Sequence, residues 1–226
     1  LYSGGCPHQC SYCYVPSVLH KTRDQWLAEP CQPRAGVIEQ LDKDLACWTR
    51  GREALLSTEK KPQVFLCVTC DPYPRGVDTE TTRQAIEVIH RHGLGVRILT
   101  KGRMVAARDL PLLGQRDAFG VTLTSLTPSI WEPYAAPPSL RLGVLQAAKE
   151  RGIPTWASLE PVMWREDTLA CIEALVGMAD EVKIGRLNYD SRAVSTDWRK
   201  FAREASALCE RLGLRYTLKE DLRRLL

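Results

Sequence analysis

Short apolar runs alternate with amphipathic stretches through most of this chain. Val64-Phe65-Leu66-Cys67-Val68 is continuously apolar, as expected of a strand covered on both faces. Val96-Arg97-Ile98-Leu99, Phe119-Gly120-Val121-Thr122-Leu123, Thr155-Trp156-Ala157-Ser158-Leu159 and Glu181-Val182-Lys183-Ile184 read as four more, and Arg215-Tyr216-Thr217-Leu218 as a sixth. Helical spacing fills the gaps between them. Val37, Leu41, Leu45 and Trp48 share one face before the first strand. Ala85, Ile86 and Ile89 mark the next helix, with Gly93 placed to end it. Leu140, Val144, Ala147 and Ala148 mark another, opened by Pro137-Pro138 and closed by Gly152. Leu169, Ile172 and Val176 mark a fourth, and Phe201, Ala205 and Leu208 a fifth.

Strand–helix alternation with apolar strands predicts an α/β fold: a parallel sheet covered by helices. A (βα) barrel, open or closed, is the natural form. A doubly wound open sheet is the alternative, but no G-x-G-x-x-G follows a strand.

In parallel barrels the chemistry gathers where strands end. The expected ends here are polar: Thr69-Cys70-Asp71-Pro72-Tyr73, Thr100-Lys101-Gly102, Thr124-Ser125, Ser158-Leu159-Glu160-Pro161 and Gly185-Arg186-Leu187-Asn188. One such end is an ordinary turn. Five in succession predict a lined pocket.

The start of the chain carries a sharper signal. Cys6, Cys10 and Cys13 lie in GGCPHQCSYCY, spaced C-x3-C-x2-C, with no fourth cysteine nearby. Three soft thiolates on one loop suit an iron–sulfur cluster or zinc. A missing fourth ligand points to a reactive site, because structural sites close their coordination shell. A zinc site completed by His8 is the competing reading. It requires the loop to fold back between two of its own ligands.

The remaining cysteines say less. Cys67 and Cys70 form C-x2-C, but residues i and i+3 of a strand face opposite sides, so a metal site there requires the strand to have ended already. Cys31, Cys47, Cys171 and Cys209 share no spacing and read as structural. Nine cysteines, an odd number, in a chain of 226 residues without a visible secretory signal argue against disulfides and for a reducing cytoplasm.

The cysteine loop resembles the cluster loop of the radical S-adenosylmethionine enzymes, C-x3-C-x-aromatic-C, with Tyr12 as the aromatic. Gly4-Gly5 and Tyr14 tighten the match. S-Y-C-Y at Ser11 to Tyr14, D-P-Y at Asp71 to Tyr73, L-T-K at Leu99 to Lys101 and S-L-E-P at Ser158 to Pro161 resemble the spore photoproduct lyase-like branch, up to about Asn188. The resemblance implies a partial (βα)6 TIM-type barrel, with the cluster loop after a first strand whose remnant is Leu1-Tyr2. It implies a [4Fe–4S] cluster on Cys6, Cys10 and Cys13, and S-adenosylmethionine on the fourth iron. Asp71 would then take the cofactor's amino group, Lys101 its carboxylate, and Ser125 or Glu160 its ribose, beside Tyr12. Reductive cleavage would yield a 5′-deoxyadenosyl radical that abstracts a hydrogen atom from a substrate. A flavodoxin or ferredoxin would supply the electron. In the lyase a cysteine assisted by tyrosines returns a hydrogen, which makes Cys70 and Tyr14 the candidates here, although TCDPY matches the lyase poorly.

Charge and composition limit the reading. A net charge of +4 permits a nucleic-acid partner without arguing for one. Arg199, Lys200, Arg203, Arg211, Arg223 and Arg224 alternate with Glu204, Glu210, Glu220 and Asp221, which describes a solvated surface more than a DNA track. Trp26, Trp131 and Trp164 fall in expected loops, available to stack on a base or to cap the core. No apolar run approaches the roughly 20 residues needed to span a bilayer, so no membrane partner is expected. The chain reads as one barrel domain over 1–226, with a helical C-terminal segment over 190–226. Because it opens on Leu1, inside the motif, upstream sequence is expected to be missing.

Overall fold

The computed structural model describes residues 1–58, 62–102, 104–188 and 196–226. A small antiparallel ribbon comes first. Strand β1 (Tyr2–Ser3) pairs with β2 (Gln32–Pro33). The loop between them carries the three clustered cysteines and two short helices, α1 (Val15–Val18) and α2 (Arg23–Leu27). Of the expected remnant Leu1-Tyr2, Tyr2 is thus a strand residue, but in this ribbon and not in the main sheet.

Among the described residues the main sheet has six strands: β3 (Gln63–Phe65), β4 (Gly95–Thr100), β5 (Ala118–Thr122), β6 (Thr155–Val162), β7 (Glu181–Arg186) and β8 (Arg215–Leu218). All pairs are parallel and the spatial order is the chain order. A doubly wound sheet reverses its order at a switch point. A sheet that never reverses and leaves β3 and β8 unpaired with one another is an open (βα) barrel, the expected fold.

Helices cover the outer face. α3 (Val37–Thr49) and α4 (Glu53–Leu56) precede β3, and α5 (Glu80–Arg91) follows it. α6 (Pro138–Glu150), α7 (Arg165–Ala174), α8 (Trp198–Arg211) and α9 (Glu220–Arg223) come later. Ala85, Ile86 and Ile89 of α5 are fully buried against β4, and so are Phe201 and Ala205 of α8 beneath β8. Each face follows the predicted 3.6-residue period.

The departures have local causes. The first strand stops at Phe65 because Cys67 takes a φ of 60°, outside sheet geometry. The β4–β5 crossover is a 3₁₀ run, Met104–Leu112, which contains Pro111. Trp48 and Val176 point outward, at 38% and 45% exposure. Trp48 carries the Arg52 guanidinium over its ring instead of packing inward. The C-terminal segment is not simply helical, since β8 supplies the sheet's sixth strand. Its positions 190–195 lie outside the described residues.

Candidate active site

The cysteine loop is pressed onto the rest of the molecule by main-chain contacts. At Gly5 a Cβ would lie 2.5 Å from the Trp26 carbonyl oxygen, and at Gly4, with φ +82°, 2.1 Å from that of Pro30. No side chain fits at either place. Arg23 then reaches back from α2 and donates to the carbonyls of Gln9 (2.6 Å) and Cys10 (2.9 Å). Ser11 N–H donates to the Trp131 carbonyl at 2.9 Å.

Beneath the loop runs a buried polar chain. The Tyr12 hydroxyl donates to Glu132. Glu132 accepts from Arg141 Nη2 at 2.5 Å. Arg141 also donates to the carbonyls of Thr122 (2.8 Å) and Ala136 (2.7 Å). One guanidinium in α6 thus joins the loop to the end of β5. Burial drives the Tyr12 phenol pKa far up, and neighbouring Glu132 adds to it, so Tyr12 stays a donor.

Loop and strand ends enclose a cavity of about 610 Å³. Cys6, Cys10 and Cys13 line it, together with Tyr12, Cys70, Asp71, Lys101 and Glu160. Tyr14 is at its mouth, 54% exposed. Ser125 does not line it. β5 has already ended at Thr122, and the Ser125 hydroxyl closes a local turn onto Thr127. Thr122 and Ser158 are the hydroxyl side chains that β5 and β6 present instead.

Asp71 is committed to the scaffold. It accepts from Tyr73 N–H at 2.8 Å, from the Thr100 hydroxyl at 2.6 Å and from Lys101 N–H at 2.7 Å. Its carboxylate therefore fixes the β4 end, and with it Lys101, more than it offers a free acceptor. Burial alone would raise its pKa, but His8 and these donors hold it at about 2. His8 lines the same cavity, with Nε2 3.4 Å from Asp71 and Nδ1 3.4 Å from the Tyr134 carbonyl.

Lys101 Nζ sits 5.5 Å from the centre of the Tyr12 ring. Burial opposes its charge, but Cys10 and Glu132 together raise its pKa. Glu160 is paired with Lys219 at 2.9 Å across the cavity rim. The thiols differ among themselves. A hydrogen bond from Cys70 lowers Cys6 to about 6, whereas burial lifts Cys10 to about 11 and raises Cys13.

The donor set fits a cluster better than a single ion. One zinc ion needs its ligands within about 2.3 Å of one point. Among the described residues no three His, Cys, Asp or Glu side chains converge in that way. A cluster takes each thiolate on a different iron, and the loop's three thiols line one cavity.

Arg23, Glu132 and Arg141 carry no signal in the sequence, because their partners are distant or are main-chain carbonyls. Trp26, expected in a loop, is a core residue of α2 at 1% exposure, while Trp164 is 57% exposed. In the charged tail Arg223 and Arg224 both pair with Glu220. No described helix is long and apolar enough to cross a membrane.

An open parallel barrel with a three-thiol loop over the C-terminal ends of its strands is the architecture of a cofactor-carrying barrel enzyme. The sequence model of the Radical SAM superfamily matches residues 1–179, and the chain belongs to that superfamily. A relative from Acidianus two-tailed virus, the uncharacterized protein ORF301, is 29% identical over 192 residues, covering 76% of this chain and 59% of its own. Among solved structures, Streptococcus suis SuiB bound to precursor peptide SuiA superposes with a TM-score of 0.68 at 9% identity, covering 96% of this chain and 47% of its own. Spore photoproduct lyase complexed with dinucleoside spore photoproduct superposes with a TM-score of 0.65 at 15% identity, covering 97% and 75%. The chain thus spans between about half and three quarters of these proteins.

Proposed function

We propose that this chain is the catalytic barrel of an enzyme that binds a [4Fe–4S] cluster through Cys6, Cys10 and Cys13 and uses it with S-adenosylmethionine. The observation that carries this reading is that the three loop thiols and Lys101 line one cavity at the strand ends. When bound, cluster and S-adenosylmethionine supply one-electron C–S cleavage and, through it, hydrogen-atom abstraction from an unactivated C–H bond.

The protein's part is placement. Lys101, held by Asp71 through its own N–H, is the cation for the cofactor's carboxylate. Thr122, Ser158 and Glu160 offer hydroxyl and carboxylate partners to a ribose. Tyr12 and the Glu132–Arg141 pair keep the loop at a fixed height above β5. The exposed side of the loop, around Tyr14, is the approach for an electron donor of the flavodoxin or ferredoxin type.

The test is anaerobic reconstitution with iron and sulfide, followed by reduction with S-adenosylmethionine. About four irons per chain and production of 5′-deoxyadenosine are expected, both lost in Cys13→Ala. Full iron and normal product in that variant would sink the reading. Stoichiometric zinc and no brown colour in an anaerobic preparation would favour a non-catalytic zinc protein.

A second reading concerns the substrate. Cys70 lines the same cavity, and Tyr14 stands at its mouth. With Cys70 as hydrogen donor and Tyr14 as relay, the enzyme would be a nucleic-acid repair lyase. Irradiated DNA is the discriminating substrate: label exchange into 5′-deoxyadenosine that depends on it, with Cys70→Ala altering the product, supports a lyase. No such exchange excludes it.

A further inference from the structure

Cys31 and Cys70 are 39 positions apart, yet their Sγ atoms lie 3.6 Å from one another. Cys31 immediately precedes β2, and Cys70 lies in the loop after β3. Neither is in a disulfide and both are half-buried, so a small molecule can reach them. A disulfide bond is about 2.05 Å long, so the sulfurs need to close by only about 1.5 Å. The loop that carries Cys70 leaves the sheet after Leu66, whose N–H still donates to the Arg97 carbonyl of β4 at 3.1 Å, so a shift of that size at Cys70 breaks no strand ladder. Cys70 lines the same cavity as Cys6.

We infer that Cys31 and Cys70, the second of which lines the cavity, form a reversible dithiol–disulfide couple oxidised by low-molecular-weight disulfides. One of the two, as its thiolate, attacks a sulfur of the small disulfide and expels one small thiol, leaving a mixed disulfide on the protein. The second thiolate attacks that protein sulfur and expels the other small thiol. Two protein thiols and one small disulfide become one protein disulfide and two small thiols, so two electrons and two protons pass to the small molecule. The new bond ties the β1–β2 ribbon to the loop after β3. It also takes Cys70 out of the set of free thiols facing the cavity.

The test uses the full chain, freed of metal and equilibrated without oxygen in glutathione buffers of graded potential. Acid quenching, alkylation and peptide mass spectrometry follow. A peptide crosslinked through Cys31 and Cys70 is expected. Both free-thiol signals should fall with one shared midpoint, the oxidised-to-reduced ratio changing tenfold per about 30 mV, the slope of a two-electron couple. Cys70→Ser should leave Cys31 as a glutathione adduct. A crosslink mainly between Cys6 and Cys70 would overturn the inference, as would separate adducts on Cys31 and Cys70 with different midpoints. The readout is a peptide mass in protein without a cluster, so it stands or falls independently of the cofactor reading.

Discussion

Arg141 Nη2 lies 2.5 Å from Oε2 of Glu132, with 2% and 3% of the two side chains exposed. The carboxylate's other oxygen takes the Tyr12 hydroxyl, so this ion pair is the floor on which the cysteine loop rests. Removing one member of a buried pair leaves an uncompensated charge, at about 3–5 kcal/mol. Glu132→Gln is expected to lower the unfolding free energy by about that amount in urea titration. Adding Arg141→Met to it should cost far less than the two single losses summed, because the stranded charge is gone. Strict additivity would show that the two side chains do not act as a pair.

Asp71 and His8 make opposite contributions to acid and base stability. The folded Asp71 pKa of about 2 lies below the unfolded value of about 3.9. Its contribution is therefore complete above about pH 4 and is lost as pH falls through about 2, amounting to about 2.5 kcal/mol. His8 is raised, Asp71 outweighing the effect of burial. Its contribution is complete below the unfolded value of about 6.5 and fades as pH rises through the higher folded value. In Asp71→Asn both limbs should flatten, on top of a pH-independent loss from the weakened bonds to Tyr73, Thr100 and Lys101. Parallel pH–stability curves for wild type and variant would refute this.

What could be read in the sequence was what lies close together in it. Cys6, Cys10 and Cys13 sit within eight positions, and their spacing alone groups them as three thiols on one loop. The buried faces of α5 and α8 follow a period that a single segment displays. Asp71, Lys101 and Glu160 could be placed because a strand's end follows from where its apolar run stops. Ser125 failed for the same reason: the run through Leu123 outlasts β5, and by Ser125 the chain has turned away. Glu132 meets Tyr12 across 120 positions and Cys31 meets Cys70 across 39, contacts that only the closed topology creates. That Asp71 also accepts from Tyr73, Thr100 and Lys101 has no signal in the sequence, since a strand-end carboxylate looks the same whatever its partners.

Gly120 and Trp156 make a second close contact, inside the sheet. They are paired across β5 and β6, and the indole N–H donates to the Ile98 carbonyl at 3.0 Å. A Cβ on Gly120 would sit 2.4 Å from that indole nitrogen. Trp156 is further held by Arg97, 4.3 Å from its ring centre, and cannot retreat without giving up both contacts. Gly120→Ala is expected to cost about 1–3 kcal/mol through overpacking. A red shift of tryptophan emission should accompany it if the indole is displaced. Unchanged stability and emission would mean that the ring moves aside freely.

Arg23 acts on the cysteine loop through its main chain. It touches no cysteine side chain, only the carbonyls of Gln9 and Cys10, with a longer contact to Ser11 at 3.5 Å. Its two-pronged guanidinium spans neighbouring carbonyls in a way that an ammonium cannot. Arg23→Lys should therefore resemble Arg23→Ala. Both should lower thermal stability only slightly, by about 1 kcal/mol per bond lost, while reducing the iron retained after anaerobic reconstitution and desalting. All three thiols should still be present by alkylation. If Arg23→Ala retains wild-type iron, the loop holds its shape through Gly4, Gly5 and the Tyr12–Glu132 bond alone, and the clamp is dispensable.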